Sequence, residues 1–252
     1  MGKIVAIGGG EIGRPGYSVE TTKIDREIIK LSGKKHPKLL FLPTASDDSE
    51  SYFEVVKKHF GKNLECKTDV LYLIKEKYNR KKIESKILNS DIIYVGGGNT
   101  EKMFRVWRKY GVDNVMKKAY ERNKPVLSGV SAGAICWFRY GNSDSRLKST
   151  GKMIKIKGLN FINSLYCPHY NAEKRRKSSF KKMMKTTTGI GIAVDNCCAI
   201  EIVDDAYRIL SSKKNANAYK VYWDEGKFYQ KKIKRNKEYS PIKHLLIKRR
   251  MP

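Results

Sequence analysis

Gly129-Val130-Ser131-Ala132-Gly133 is the stretch on which the reading of this 252-residue chain turns. Pro125-Val126-Leu127 precedes it and reads as a short buried strand. Ala134-Ile135-Cys136-Trp137-Phe138 follows, apolar and free of breakers, and reads as the first turns of a helix. Strand, sharp turn and helix with Ser at the bend form a nucleophile elbow, which lifts the hydroxyl clear of a sheet. The glycines keep Cβ atoms out of a tight turn. The backbone N–H of Ala132 then lies at a helix N-terminus, where a developing oxyanion is favoured. An ordinary Gly-rich turn with a capping Ser fits the pentapeptide equally well, so the rest of the chain has to decide.

Apolar residues make up 40% of the chain, enough for a substantial core at this length. Lys and Arg number 53 against 25 Asp and Glu, a net charge of +28. Such an excess suits nucleic acid or an anionic surface. The basic residues are spread along the chain, however, with only modest clusters at 174–177 and 243–250, so nucleic acid is not the expected partner. The five cysteines are odd in number and contain no C-x-x-C, which argues against a disulfide framework or a zinc ribbon. No metal or cofactor site emerges. The N-terminal apolar run is too short for a signal peptide, and no stretch approaches a membrane span. A reduced, cytoplasmic setting with no membrane contact is the expectation, as a monomer or homodimer.

Hydrophobic periodicity predicts strands at Lys3–Ile7, Lys38–Leu42, Cys66–Leu73 and Asp91–Val95, and at the run before Ser131. Helices are predicted at Thr21–Leu31, Ser49–Phe60, Arg80–Leu88, Glu101–Lys109 and Asp113–Arg122. That alternation implies βαβ units: an α/β three-layer sandwich with a mostly parallel central sheet and helices on both faces. Gly8-Gly9-Gly10-Glu11-Ile12-Gly13 follows the first strand, but its glycine spacing departs from a dinucleotide fingerprint. A loop lining some site at the carboxyl edge of the sheet fits it better. After Trp137 the pattern changes. Residues 141–157 are polar and turn-rich, 189–194 and 198–203 read as strands, and 218–229 reads as a hairpin. An antiparallel C-terminal edge on the parallel core is expected. One domain spans 1–252, with a basic tail at about 231–252.

A Ser nucleophile needs a base, and the chain offers four His. His36 lies in a Lys-Lys-His-Pro turn, His59 on an amphipathic helix and His244 in the basic tail. His169, in Tyr166-Cys167-Pro168-His169-Tyr170-Asn171, stands where a loop at a strand edge should begin, and elimination favours it. A carboxylate should fix its tautomer. Asp144 is the best placed by sequence, with Glu173 and Asp195 as weaker alternatives. A second oxyanion donor is available from Gly96-Gly97-Gly98, at the end of the strand before the elbow unit.

Gly96-Gly97-Gly98-Asn99-Thr100, then Gly129-Val130-Ser131-Ala132-Gly133-Ala134, then Pro168-His169-Tyr170 resembles the dipeptidase E family of serine peptidases, which includes the related cyanophycinases. The resemblance covers roughly residues 1–210. It implies a class I glutamine-amidotransferase-like fold, Ser131 as nucleophile, His169 as base and Asp144 as acid. It also implies an oxyanion hole from the main-chain N–H groups of Gly97, Gly98 and Ala132, with a small peptide as substrate. Cyanophycinases place Glu where this chain has only Asp144, which favours the dipeptidase branch. The family's aspartyl preference relies on basic residues near the substrate side chain. Arg175 or Arg176 are the candidates for that contact here, with Asn99 as a further candidate substrate ligand. Three other readings stand beside this one. An α/β-hydrolase esterase would need a C-terminal His such as His244. An amidotransferase would use Cys, for which Cys136 is the nearest. A non-catalytic binding protein would be motivated by charge alone.

Overall fold

Lys3–Ile7 (β1) occupies the middle of the main sheet because nearly every one of its side chains is apolar and needs cover on both faces. The computed structural model describes residues 2–172 and 174–248. Beside β1 run Lys38–Leu42 (β2), Lys67–Val70 (β3), Ile92–Val95 (β4) and Val126–Val130 (β5), all parallel, in the order β1-β5-β4-β2-β3. The crossovers carry Thr22–Leu31 (α1), Glu50–Val56 (α2), Arg80–Leu88 (α3), Thr100–Tyr110 (α4) and Val112–Glu121 (α5). Ile24 and Ile28 of α1 and Val56 of α2 seal one face of the sheet; Met103 and Trp107 of α4 and Val115 and Met116 of α5 seal the other. Each such side chain removed from water contributes about 2 kcal/mol. Helices on both faces of a mostly parallel sheet are what the strand–helix alternation predicts.

Helix α2 runs on into a wider π-helical segment, Lys57–Asn63. Its His59 is buried, with Nε2 2.8 Å from the Asp25 carboxylate on α1. That pair ties two helices together under the sheet.

After Ser131 the chain departs from expectation. The helix is one turn, Ala132–Ile135 (α6), and a strand, Phe138–Ser143 (β6), begins where helix was expected to continue. The cause is tertiary. Phe138 stacks on Tyr166 with ring centroids 4.4 Å apart, and Trp137 packs on Phe161. Fully buried aromatics on consecutive residues suit a strand between two packed layers better than a helix. The polar region 141–157 holds the end of β6, a short turn of helix at Leu147–Thr150 (α7) and Ile154–Lys157 (β7).

These strands open a second sheet. Ile162–Cys167 (β8) and Gly191–Val194 (β9) run parallel with β6, and Ala218–Asp224 (β12) with Lys227–Lys232 (β13) completes the order β13-β12-β9-β8-β6-β7. The expected hairpin therefore exists, but it extends the second sheet and not the parallel core. The antiparallel edge of the core is formed by Cys198–Val203 (β10), Ala206–Ser211 (β11) and Ser240–Pro241 (β14). Lys174–Lys185 (α8) covers the second sheet through Phe180 and Met184. Of the basic tail, Ile242–Leu246 (α9) docks through buried Leu245, and Lys220 Nζ donates to the His244 carbonyl at 3.0 Å. Residues 249–252 lie outside the described ones. No helix among the described residues is long and apolar enough to cross a membrane.

Candidate active site

Ser131 sits at φ 56°, ψ −111°, a backbone conformation that costs a non-glycine residue on the order of 1–3 kcal/mol and is typical of a functional bend. The elbow glycines carry the consequence. A Cβ on Gly133 would lie 2.1 Å from the Val95 carbonyl oxygen, and one on Gly129 would lie 2.5 Å from that of Gly133. Strand β5, one-turn helix α6 and neighbouring β4 can approach this closely only because both positions lack side chains.

The end of β1 gathers the rest. Three successive carbonyls each accept from a different part of the site. Ile7 accepts from Ser131 N at 3.1 Å, Gly8 from His169 N at 2.9 Å and Gly9 from Cys197 N at 2.7 Å. Tyr166 of β8 donates its hydroxyl to Ala6 O at 3.2 Å, which locks the second sheet onto β1. The Gly8–Gly10 loop therefore lines a site at the carboxyl edge of the sheet. Gly9 lies directly over the imidazole: a Cβ there would come 2.4 Å from His169 Nδ1 and 2.2 Å from Asn196 Oδ1.

His169 Nε2 is 2.8 Å from Ser131 Oγ. On the other side of the ring, Nδ1 is 2.6 Å from Asn196 Oδ1. An amide oxygen accepts only, so the ring carries its proton on Nδ1 and offers the Nε2 lone pair to the Ser131 hydroxyl. Asn196 is itself held by Asn171, whose Oδ1 accepts from Asn196 N at 2.9 Å.

The carboxylate expected at this position from Asp144 is therefore a correction. Asp144 lies beyond β6, where Arg176 Nη2 holds its carboxylate at 2.7 Å. Arg176 is itself 1% exposed and donates Nη1 to the Asn142 carbonyl. A buried guanidinium needs such a partner, and this one ties α8 to the end of β6. Asp195 Oδ2 accepts from Asn217 N at 2.9 Å, and burial pushes its carboxyl up. Glu173 lies outside the described residues.

The expected substrate contacts are displaced too. Arg176 is committed to Asp144, Arg175 is exposed on α8, and neither lines the cavity beside Ser131. Asn99 caps α4 by accepting from Lys102 N, and its amide donates to Ser145 O. Sequence reasoning missed Asn196, Tyr52 and Arg14. Only the Gly8–Gly13 loop hinted that the end of β1 mattered.

That cavity measures about 500 Å³ and is lined by Ser131, His169, Gly97, Gly98, Tyr52 and Arg14, among others. Gly97 comes close enough that a Cβ would sit 3.5 Å from Ser131 Cβ. Gly98 has φ 137°, and a Cβ there would strike the Ala45 carbonyl oxygen at 2.2 Å. Among the described residues, the N–H groups of Gly98 and Ala132 meet no protein acceptor. Ala132 N is at the start of α6, so donors and a helix end converge beside the Ser131 hydroxyl. Arg14 is the cavity's guanidinium. Glu11 Oε2 binds it, while Glu11 Oε1 accepts from the backbone N–H groups of Ile12, Gly13 and Arg14. Burial pushes the Glu11 carboxyl up, but the Arg14 guanidinium and these amides outweigh it and hold it below its ordinary value.

None of the five cysteines forms a disulfide, and all five are buried. Cys136 points its thiol at the Gly133 carbonyl, and burial pushes it far above its ordinary pKa, so it is no nucleophile in this state. Among the described residues, no group of three or more His, Cys, Asp or Glu could hold a metal ion.

A hydroxyl at an elbow, hydrogen-bonded to an imidazole beside free main-chain donors, defines the serine-hydrolase class of site. Residues 4–210 match the model of peptidase family S51, and the chain belongs to that family of serine peptidases. It is 34% identical over 229 residues to an uncharacterized peptidase, YgaJ, of Bacillus subtilis (strain 168), covering 89% of this chain and 94% of that protein. The fold is similar to the crystal structure of a peptidase from an acI-B1 Actinobacterium. There the TM-score is 0.72 at 17% identity, over 96% of this chain and 97% of the other. A Listeria monocytogenes EGD-e protein assigned to peptidase E superposes with a TM-score of 0.59 at 19% identity, over 84% of this chain and 98% of its own.

Proposed function

We propose that the protein hydrolyses small peptides, in the manner of a dipeptidase E, through an acyl-enzyme on Ser131. The observation that carries this reading is the 2.8 Å contact of Ser131 Oγ with His169 Nε2, beside the Ala132 N–H, which meets no acceptor among the described residues. His169 takes the hydroxyl proton as Oγ attacks the carbonyl carbon. The oxyanion is held by main-chain N–H groups of Ala132 and of Gly97 or Gly98. The imidazolium then gives its proton to the leaving amine as the C–N bond breaks. Water, deprotonated by the same imidazole, releases the acid. Asn196 orients the ring throughout without carrying charge. A cavity of about 500 Å³ is of a size that suits a dipeptide.

Aspartyl dipeptides are the favoured substrates. The cation that would meet an acidic side chain is Arg14, since Arg175 and Arg176 lie elsewhere. The test is a panel of dipeptides assayed with the wild type and Ser131→Ala. Turnover of N-terminal Asp dipeptides that disappears in Ser131→Ala is the expected result. Undiminished hydrolysis by that variant would sink the assignment.

A further inference from the structure

Tyr52 stands on the first turn of α2, opposite the elbow and in the same cavity as Ser131 and His169. Two contacts fix its ring. It meets the ring of Phe41 edge-on with centroids 5.0 Å apart, and it lies against Gly96, where a Cβ would be only 3.0 Å from Tyr52 Cε1. Ser49 caps the helix by accepting from Tyr52 N, which sets the ring's point of departure. The ring is therefore packed onto the Gly96–Gly98 turn.

The hydroxyl has a distinctive environment. Its oxygen faces the N–H of Gly97 at 3.5 Å, a long contact that uses an oxygen lone pair. Its own proton finds no acceptor among the described residues. A half-buried phenol with a free O–H, set beside a backbone donor next to Ser131, marks a place where an oxygen acceptor is missing. The oxygen of a substrate carbonyl is the group that arrives there during acylation.

We propose that Tyr52 is a catalytic residue, whose hydroxyl joins the N–H groups of Gly97 and Ala132 in binding the oxyanion. The proposal rests on the reading of Ser131 as nucleophile. As the Oγ–C bond forms, the carbonyl π electrons move onto oxygen, and the charge accepts a hydrogen bond from the phenol. No proton leaves Tyr52. The long Gly97 contact is surrendered at the same time, so that both donors turn to the oxyanion. Burial pushes the phenol up to about 12, which keeps it protonated and donating throughout the working range. The backbone donors alone suffice for a hole, and the phenol adds a third donor in a partly water-excluded site.

The test uses Tyr52→Phe, which keeps the packed ring and removes only the hydroxyl. The expected result is a fall in kcat of about a hundredfold with KM within about twofold of wild type. The affinity for a peptidyl trifluoromethyl ketone, which forms a tetrahedral adduct on Ser131, should fall in parallel. Binding of intact dipeptide, measured in the Ser131→Ala background, should not change with Tyr52→Phe. A second variant guards against misfolding: 3,5-difluorotyrosine at position 52 retains the hydroxyl but lowers its pKa, and should bring an alkaline loss of kcat to lower pH. Wild-type kcat and ketone affinity in Tyr52→Phe, with Ser131→Ala inactive, overturn the role of Tyr52 alone. Failure of a fluorophosphonate probe to label Ser131 in the wild type overturns the nucleophile reading and this proposal together.

Discussion

His169 Nδ1 lies 2.6 Å from Asn196 Oδ1, so an amide oxygen meets the imidazole where the Asp144 carboxylate was expected. An amide oxygen fixes the tautomer as a carboxylate does. It contributes no negative charge to the imidazolium formed as Ser131 reacts. Asn196→Ala should lower kcat on the order of a hundredfold, short of the ~10⁴ that a mis-set tautomer costs. Asn196→Asp should preserve turnover and move the acid limb of the kcat/KM profile to higher pH, because a carboxylate favours the charged ring. A pH series on the three proteins checks both. An unaltered profile in Asn196→Asp together with full turnover in Asn196→Ala would remove Asn196 from the site.

Asp144 should behave as a structural residue. Its removal leaves Arg176, 1% exposed, without its carboxylate, and the half-exposed position of Asp144 moderates the cost. Asp144→Ala is expected to lose about 2 kcal/mol in denaturant unfolding while Ser131 still labels with a fluorophosphonate at the wild-type rate. A dead enzyme of undiminished stability would return Asp144 to the catalytic machinery.

Arg14 is expected to set preference rather than rate. With its guanidinium exposed at the cavity and braced by Glu11, Arg14→Ala should reduce kcat/KM for N-terminal Asp dipeptides about tenfold. Asn-containing analogues of the same dipeptides should be nearly unaffected. Equal losses on both substrates would show that Arg14 merely supports the loop.

Glu11 makes that loop sensitive to acid. Its carboxyl is held below its ordinary value of 4.5. A group whose folded pKa is depressed stabilises the folded loop above its unfolded pKa, and that contribution fades as pH falls through the folded value. Amide exchange at Ile12, Gly13 and Arg14 should therefore lose protection below about pH 4.5. Glu11→Gln, which keeps a neutral acceptor, should flatten this dependence. Protection that stays constant on acidification would show that the Glu11 carboxylate does not hold these amides.

The order of events along the chain was legible because it is local. Strands such as Ile92–Val95 are continuous apolar runs, and the helices between them show a period near 3.6. Ser131 announced itself because glycines at 129 and 133 are needed wherever a strand turns this sharply into a helix. His169 followed by elimination among four histidines. Each of these depends on neighbours within a few residues.

What lay beyond sequence depends on contacts between distant segments. The helix after Ser131 stops after one turn because Trp137 and Phe138 are claimed by Phe161 and Tyr166, over twenty residues on. Asn196 lies 27 positions from His169 and has no motif to mark it; only the carbonyls of Ile7, Gly8 and Gly9 bring the elbow, the imidazole loop and the Asn196–Cys197 turn to one strand end. Asp144 and Arg176 look like acid and specificity residues in sequence, and become an ion pair because folding buries the guanidinium beside that carboxylate. The sequence by itself determined the parallel α/β core, the elbow that carries Ser131 and the choice of His169 as its partner, because turn sterics and hydrophobic period are properties of short stretches. The tertiary structure alone decided which side chains complete the site, because burial and hydrogen-bond partners are set where β1 ends and two sheets meet.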